Sequence, residues 1–150
     1  MTHLKIGDKA PLFDAKNQNG EMVKLTDYTG QKIVLYFYPK DNTPGCTAEA
    51  CNLRDNHDRL LGAGYKVFGV SPDSEKSHRN FIDKYELPFD LLADTDKKLC
   101  EAYGVWVEKQ MYGKSYMGVA RTSFLIDEKG VIENIVDKVD TKNHTAQLIG

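Results

Sequence analysis

The residues of this chain best suited to covalent chemistry are three cysteines, Cys46, Cys51 and Cys100. A thiolate is a nucleophile, a metal ligand and a redox centre, so position decides which chemistry a cysteine does. Cys46 follows Pro39-Lys40-Asp41-Asn42-Thr43-Pro44-Gly45, a breaker-rich segment, and opens a helical pattern. The free N–H groups and the dipole of a helix's first turn favour an anion, here the thiolate. Thr43, three residues earlier, can bring a hydroxyl toward the sulfur, and Pro39 and Pro44 stiffen the loop. The plain alternative is a small apolar residue at a helix start.

Cys51 lies five residues beyond Cys46. In an ideal helix that is a rise of about 7.5 Å, with the Cα atoms roughly 8–9 Å apart. A disulfide needs about 4.4–6.8 Å. The pair cannot bond while the helix is intact, and bonds only if the first turn or two unwinds. Frayed helix ends are the easier elements to open. The spacing suits a switch more than a static crosslink, and it differs from the Cys-x-x-Cys of disulfide oxidoreductases. No other Cys/His pair has zinc-ligand spacing. Cys51 is turned about 100° from Ala50, toward Arg54 and Asp55 and the solvent side.

The elements that must position these residues follow from periodicity. Lys32 to Tyr38 is a continuous apolar, aromatic and β-branched run, a strand buried on both faces. Cys46, Ala50, Leu53, His57 and Leu60 share one helical face, and the helix ends at Gly62 and Gly64. Strands are expected at 65–71, 89–92, 120–126 and 131–136, with a weak hairpin near Asn17-Gln18-Asn19-Gly20. Further helices are expected over about 73–85, from an Asp94–Asp96 cap to Tyr103, and after a Thr141 cap. The order implies a layered α/β domain, one domain over residues 1–150.

Composition excludes several classes. The chain has 150 residues, 22 acidic and 20 basic, with net charge −2. No basic field exists to hold nucleic acid or an anionic membrane. The longest apolar run, Ile33 to Tyr38, is six residues, against about 20 for a spanning helix. Met1 to Lys5 lacks the apolar core of a signal peptide, so a cytoplasmic location is expected.

Other polar residues have bland readings. Cys100, beside Leu99, Ala102 and Tyr103, is expected to be structural. His57 and His78 fall on apolar helical faces. His57 is about 16 Å along a helix from Cys46, too far to serve as its general base. His3 and His144 are expected to be solvated, and so are Arg54 and Arg59. Trp106, Tyr112 and Tyr116 suit a substrate entrance, core packing or a covering loop equally.

Phe37-Tyr38-Pro39-Lys40-Asp41-Asn42-Thr43-Pro44-Gly45-Cys46-Thr47 resembles the active-site loop of peroxiredoxins, Pro-x-x-x-Thr/Ser-x-x-Cys. The second cysteine five residues on resembles the Q-type branch, the bacterioferritin comigratory proteins. Tyr112-Gly113-Lys114 and Tyr116 to Asp127 are similar to the segment supplying that family's active-site arginine. The Thr122-Ser123 order departs from the family's usual one. The resemblance implies a thioredoxin-like three-layer α/β fold, a central mixed β-sheet flanked by helices, and a peroxidase with no metal or organic cofactor. It implies that Cys46 is the peroxidatic thiolate and Cys51 its resolving partner. Thr43 and Arg121 would bind the sulfur and peroxide, and Pro39 would shield the intermediate. Substrates would be hydrogen peroxide and alkyl hydroperoxides, and a thioredoxin-like protein would be the reductant. Resolution within one chain makes a monomer the expectation. The alternative is a redox sensor or interaction domain using the same cysteine pair as a conformational switch.

Overall fold

Alternation along one strand organises the molecule. In the computed structural model, which describes residues 2–150, β3 spans Lys32–Phe37. Ile33, Leu35 and Phe37 enter one apolar cluster, and Val34 and Tyr36 enter another on the opposite face. Both faces are covered, which explains an apolar run without polar interruptions.

The remaining strands are β1 (Asp14–Lys16), β2 (Met22–Lys24), β4 (Tyr65–Ser71), β5 (Asp90–Ala93), β6 (Trp106–Met111), β7 (Lys114–Val119), β8 (Thr122–Ile126) and β9 (Ile132–Val136). Seven form one mixed sheet, ordered β2-β1-β5-β4-β3-β8-β9. β3 pairs in parallel with β4 and antiparallel with β8. β6 and β7 form a separate two-stranded hairpin, a segment the sequence pattern left unassigned.

The helices are α1 (Pro44–Asp55), α2 (His57–Gly62), α3 (Glu75–Tyr85), α4 (Lys98–Ala102) and α5 (His144–Ile149). α1, α2, α3 and α5 send Cys46, Leu53, Leu60, Phe81 and Leu148 into the cluster on one face of the sheet. α4 sends Leu99 and Cys100 into the other. The single helix expected from Cys46 to Gly62 is interrupted at Asn56, whose backbone leaves helical angles (φ −112°, ψ 16°). Apolar spacing continues across the break, so periodicity did not reveal it. Asp94 does cap α4: its carboxylate accepts from the backbone N–H of Leu99 at 3.0 Å and of Cys100 at 2.8 Å. Thr141 is not the cap of the last helix. Asn143 holds that position and makes no side-chain cap bond. Among the described residues, no helix is long and apolar enough to cross a membrane.

Candidate active site

Cys46 is the third residue of α1 and is fully buried, while Cys51 is half-buried on the same helix. Pro44 stands at N1, where its missing N–H costs nothing. Thr43 is the N-cap, yet its hydroxyl does not cap the helix. It donates to the Lys40 carbonyl at 2.9 Å. Pro39, half-buried, follows Tyr38 at the end of β3.

Arg121 arrives from the neighbouring strand. The antiparallel register matches Phe37 with Thr122, so Arg121 sits just beyond the last β3–β8 pair, level with the active-site loop. Its Nη1 lies 3.3 Å from Cys46 Sγ and 2.8 Å from Glu49 Oε1. Gly45 makes room for it, since a Cβ there would stand 3.2 Å from Arg121 Nη2. Burial pulls the guanidinium down, but Cys46 and Glu49 together outweigh it and hold Arg121 above its usual range.

The loop between Pro39 and Thr43 is held by α3. Asp41 is buried and accepts from Tyr38 Oη at 2.6 Å and Ser77 Oγ at 2.8 Å. Its Oδ2 lies 2.7 Å from His78 Nδ1. The Asp41 N–H donates to Asp73 at 2.8 Å. His78 Nε2 lies 2.9 Å from the Leu92 carbonyl, so both ring nitrogens are occupied, as a core histidine requires. Asp41, Asp73 and His78 bring ligand atoms within 4.8 Å of one another. Hydrogen bonds already engage those atoms, so the cluster is a clamp on the loop and not a metal cradle. Asn42 takes a left-handed turn at φ +58°.

Two residues of the site escaped the sequence reading. Glu49 is fully buried, three residues from Cys46 on the same helix face. Burial raises its carboxyl to about 7 against the pull of Arg121. An acidic residue at i+3 from Cys46 was the available signal. His144, expected to be solvated, is instead fully buried: α5 folds back over α1 and β8, and its Nε2 lies 2.6 Å from Ser123 Oγ. Its position near the chain end concealed this.

Cys100 is buried, and burial together with an Asp94 hydrogen bond pushes its thiol well up. It is held protonated and away from chemistry. Arg54 is not fully solvated but half-buried, while Arg59 is exposed. His57 opens α2 beyond the break. Tyr112 is 98% exposed at the turn of the β6–β7 hairpin, and Tyr116 is exposed on it, so neither belongs to the core. Trp106 is half-buried under Lys97 Nζ.

Residues 6–135 match the AhpC/TSA family. The chain belongs to that family. A Coxiella burnetii relative described as a putative peroxiredoxin bcp is 51% identical over 147 residues, covering 98% of this chain and 97% of that one. A Xylella fastidiosa PrxQ cysteine-to-serine mutant superposes with a TM-score of 0.92 at 35% identity, covering 99% and 94%. A Xanthomonas campestris bacterioferritin comigratory protein, studied for alkyl peroxide reduction, gives a TM-score of 0.87 at 35% identity, covering 99% and 94%. The fold is therefore the thioredoxin-like peroxiredoxin fold, and the chain falls in the Q/Bcp branch of this peroxidase class.

Proposed function

We propose that this peroxiredoxin reduces hydrogen peroxide and alkyl hydroperoxides through Cys46, with Cys51 resolving the product as an intramolecular disulfide. The observation that carries the reading is Arg121 Nη1 at 3.3 Å from Cys46 Sγ at the mouth of α1. The fixed guanidinium lies against the buried sulfur, where it can meet the negative charge that develops on the leaving oxygen.

The thiolate attacks the nearer peroxide oxygen. An S–O bond forms, the O–O bond breaks, and the departing alkoxide or hydroxide takes a proton to leave as alcohol or water. Cys46 becomes a sulfenic acid. The Thr43 hydroxyl hydrogen is committed to the Lys40 carbonyl, so its oxygen presents lone pairs to the peroxide O–H. Pro39 shields the sulfenic acid. The Cys51 thiolate then attacks the Cys46 sulfur, forms the disulfide and releases water once the expelled hydroxide is protonated. The closure requires the first turns of α1 to unwind. A thioredoxin-like dithiol supplies two electrons and two protons to restore the thiols. A monomer suffices, because resolution draws on one chain.

Reduced protein should consume hydrogen peroxide, and Cys46→Ser should stop it. Unchanged consumption by that variant rejects the assignment. Cys51→Ser should undergo one oxidation per chain and then stall with thioredoxin. Rapid turnover in the coupled assay separates the peroxidase from a sensor that merely switches.

A further inference from the structure

Behind Arg121 the hydrogen bonds leave one buried acceptor without a proton. Gln147 Nε2 donates to the Lys138 carbonyl, and Gln147 Oε1 accepts from the Asp140 N–H, each at 2.9 Å. Oε1 is therefore an acceptor, and His144 Nδ1, 2.8 Å away, must donate to it. In neutral His144 the other nitrogen, Nε2, then carries only a lone pair, which receives the Ser123 hydroxyl at 2.6 Å. That lone pair lies 3.3 Å from Glu49 Oε2. The contact is within ion-pair distance but makes no hydrogen bond. Oε2 is one of two buried side-chain polar atoms without a partner among the described residues, the other being Tyr36 Oη. The unpartnered carboxylate oxygen thus faces a ring nitrogen whose lone pair is already engaged, an arrangement that costs free energy unless Glu49 or His144 takes up a proton.

Charge leads to the same place. With Cys46 as thiolate and Glu49 ionised, Arg121 is the cation in contact with both buried anions, and Lys109 acts on Cys46 from the hairpin. One further proton on Glu49 or His144 brings the three groups in contact to neutrality, and a buried uncompensated charge is strongly disfavoured.

We propose that Glu49 and His144 form a proton-holding pair that keeps one proton while Cys46 is a thiolate, leaving the charge of Arg121 to the sulfur and the peroxide. Both are positioning residues, acting through Arg121. This rests on the peroxidase reading of Cys46. The groups facing Glu49 are Cys46 on its own helix, Tyr36 from β3, Arg121 ahead of β8 and His144 from α5. Those around His144 also include Asp140, and Arg121 in turn faces Lys109 of the hairpin. Burial lifts Glu49 to about 7 and lowers His144, so the proton is exchanged near neutrality.

The consequence is a descending limb. The rate of the peroxide step falls when the pair loses its proton and ionised Glu49 competes for Arg121. E49Q presents a carbonyl to Arg121 and a permanent N–H to the His144 side, mimicking the protonated pair, so its rate should hold its plateau at high pH. A second measurement needs no change at the pair. The His144 imidazole resonances, assigned by their loss in His144→Gln, are titrated in reduced wild type and in Cys46→Ser. Removing the thiolate's field should move the midpoint down by about one pH unit. A descending limb that persists in folded E49Q, or a midpoint unmoved by Cys46→Ser, overturns the proposal. If E49Q does not fold, the midpoint decides alone. Absence of peroxide consumption by wild type would instead reject the peroxidase reading, while the titration would still report the pair.

Discussion

Replacing Gly45 by alanine should move stability and catalysis in opposite directions. Gly45 is the second residue of α1, has no positive φ, and meets nothing in its Cβ direction except Arg121. Alanine is favoured over glycine in a helix by roughly 0.5–1 kcal/mol. At about 2–4 °C per kcal/mol for a chain of this size, Tm should rise by about 1–4 °C. The new methyl carbon, 3.2 Å from Arg121 Nη2, forces the guanidinium to give by a few tenths of an ångström. Moving the Nη1–Sγ contact from 3.3 Å to about 3.7 Å costs about 0.5 kcal/mol at an effective dielectric of about 20. That slows the peroxide step about 2–3-fold. The same methyl makes the first turn harder to unwind, so disulfide closure should slow by roughly 2–5-fold, the rate equivalent of that helix preference.

Calorimetry gives Tm. Stopped-flow mixing with limiting peroxide gives the first step, and acid-quenched thiol counting gives the closure. Gly62→Ala is the control, because nothing lies within 4 Å of its Cβ direction. It should leave both rates unchanged. A Gly45→Ala protein that is less stable than wild type, or that reacts with peroxide at the wild-type rate, would refute the argument that this glycine exists to seat Arg121.

Gly69→Ala should destabilise by about 1–3 kcal/mol, the usual range for overpacking. Its Cβ would lie 2.6 Å from Leu91 Cδ2 and 2.8 Å from Tyr36 Cζ, and denaturant unfolding measures the loss. Asn52→Ala removes three bonds to the α5 region, from the Thr145 N–H and hydroxyl and to the Lys142 carbonyl. At about 1 kcal/mol each it should cost about 3 kcal/mol, read by the same method, with the closure rate nearly unchanged. Glu49 titrates at about 7 in the fold against a usual 4.5, so the folded state binds more protons between those values and loses stability as pH rises through them. E49Q should lack that loss, and its stability relative to wild type should grow by about 3 kcal/mol from pH 4.5 to 7. Unfolding curves across that range that stay parallel would contradict it.

What was legible in the sequence depended on how local its cause was. The β3 run and the amphipathic stretch from Cys46 announce themselves because burial imposes a period on consecutive residues. The cysteine spacing is equally local, and α1 carries both residues in one unbroken helix. β1 and β2 have three residues each, too few for a period to show, and it was the turn residues Asn17 to Gly20 that announced their hairpin. The meeting of Arg121 with Cys46 depends on a β3–β8 register across a long separation, so only the family resemblance brought them together beforehand. Glu49 was hidden because a charged residue on an apolar face counts against the pattern that would bury it. His144 was hidden because its burial comes from α5 closing over Ser123 and Glu49, partners remote in sequence.

The stability of α1 is unequal along its length, and that inequality bears on which cysteine travels. Its N-terminal end has a threonine cap whose hydroxyl is turned to Lys40, a glycine at the second position and no acidic residue in the first turn to meet the dipole. Its C-terminal half is fastened. Asn52 holds Thr145 and the Lys142 carbonyl, and Arg54 donates to the Tyr85 carbonyl at 2.8 Å. Opening begins where it costs least, which is the Cys46 end. In the proposed closure, Cys51 stays on the anchored half, half-buried, while the turn bearing Cys46 unwinds to reach it. Before oxidation the Arg121 contact holds that turn closed. In the proposed mechanism, conversion of the Cys46 thiolate to a neutral sulfenic acid removes the charge that Arg121 grips, so the chemistry weakens the contact that resists the next step.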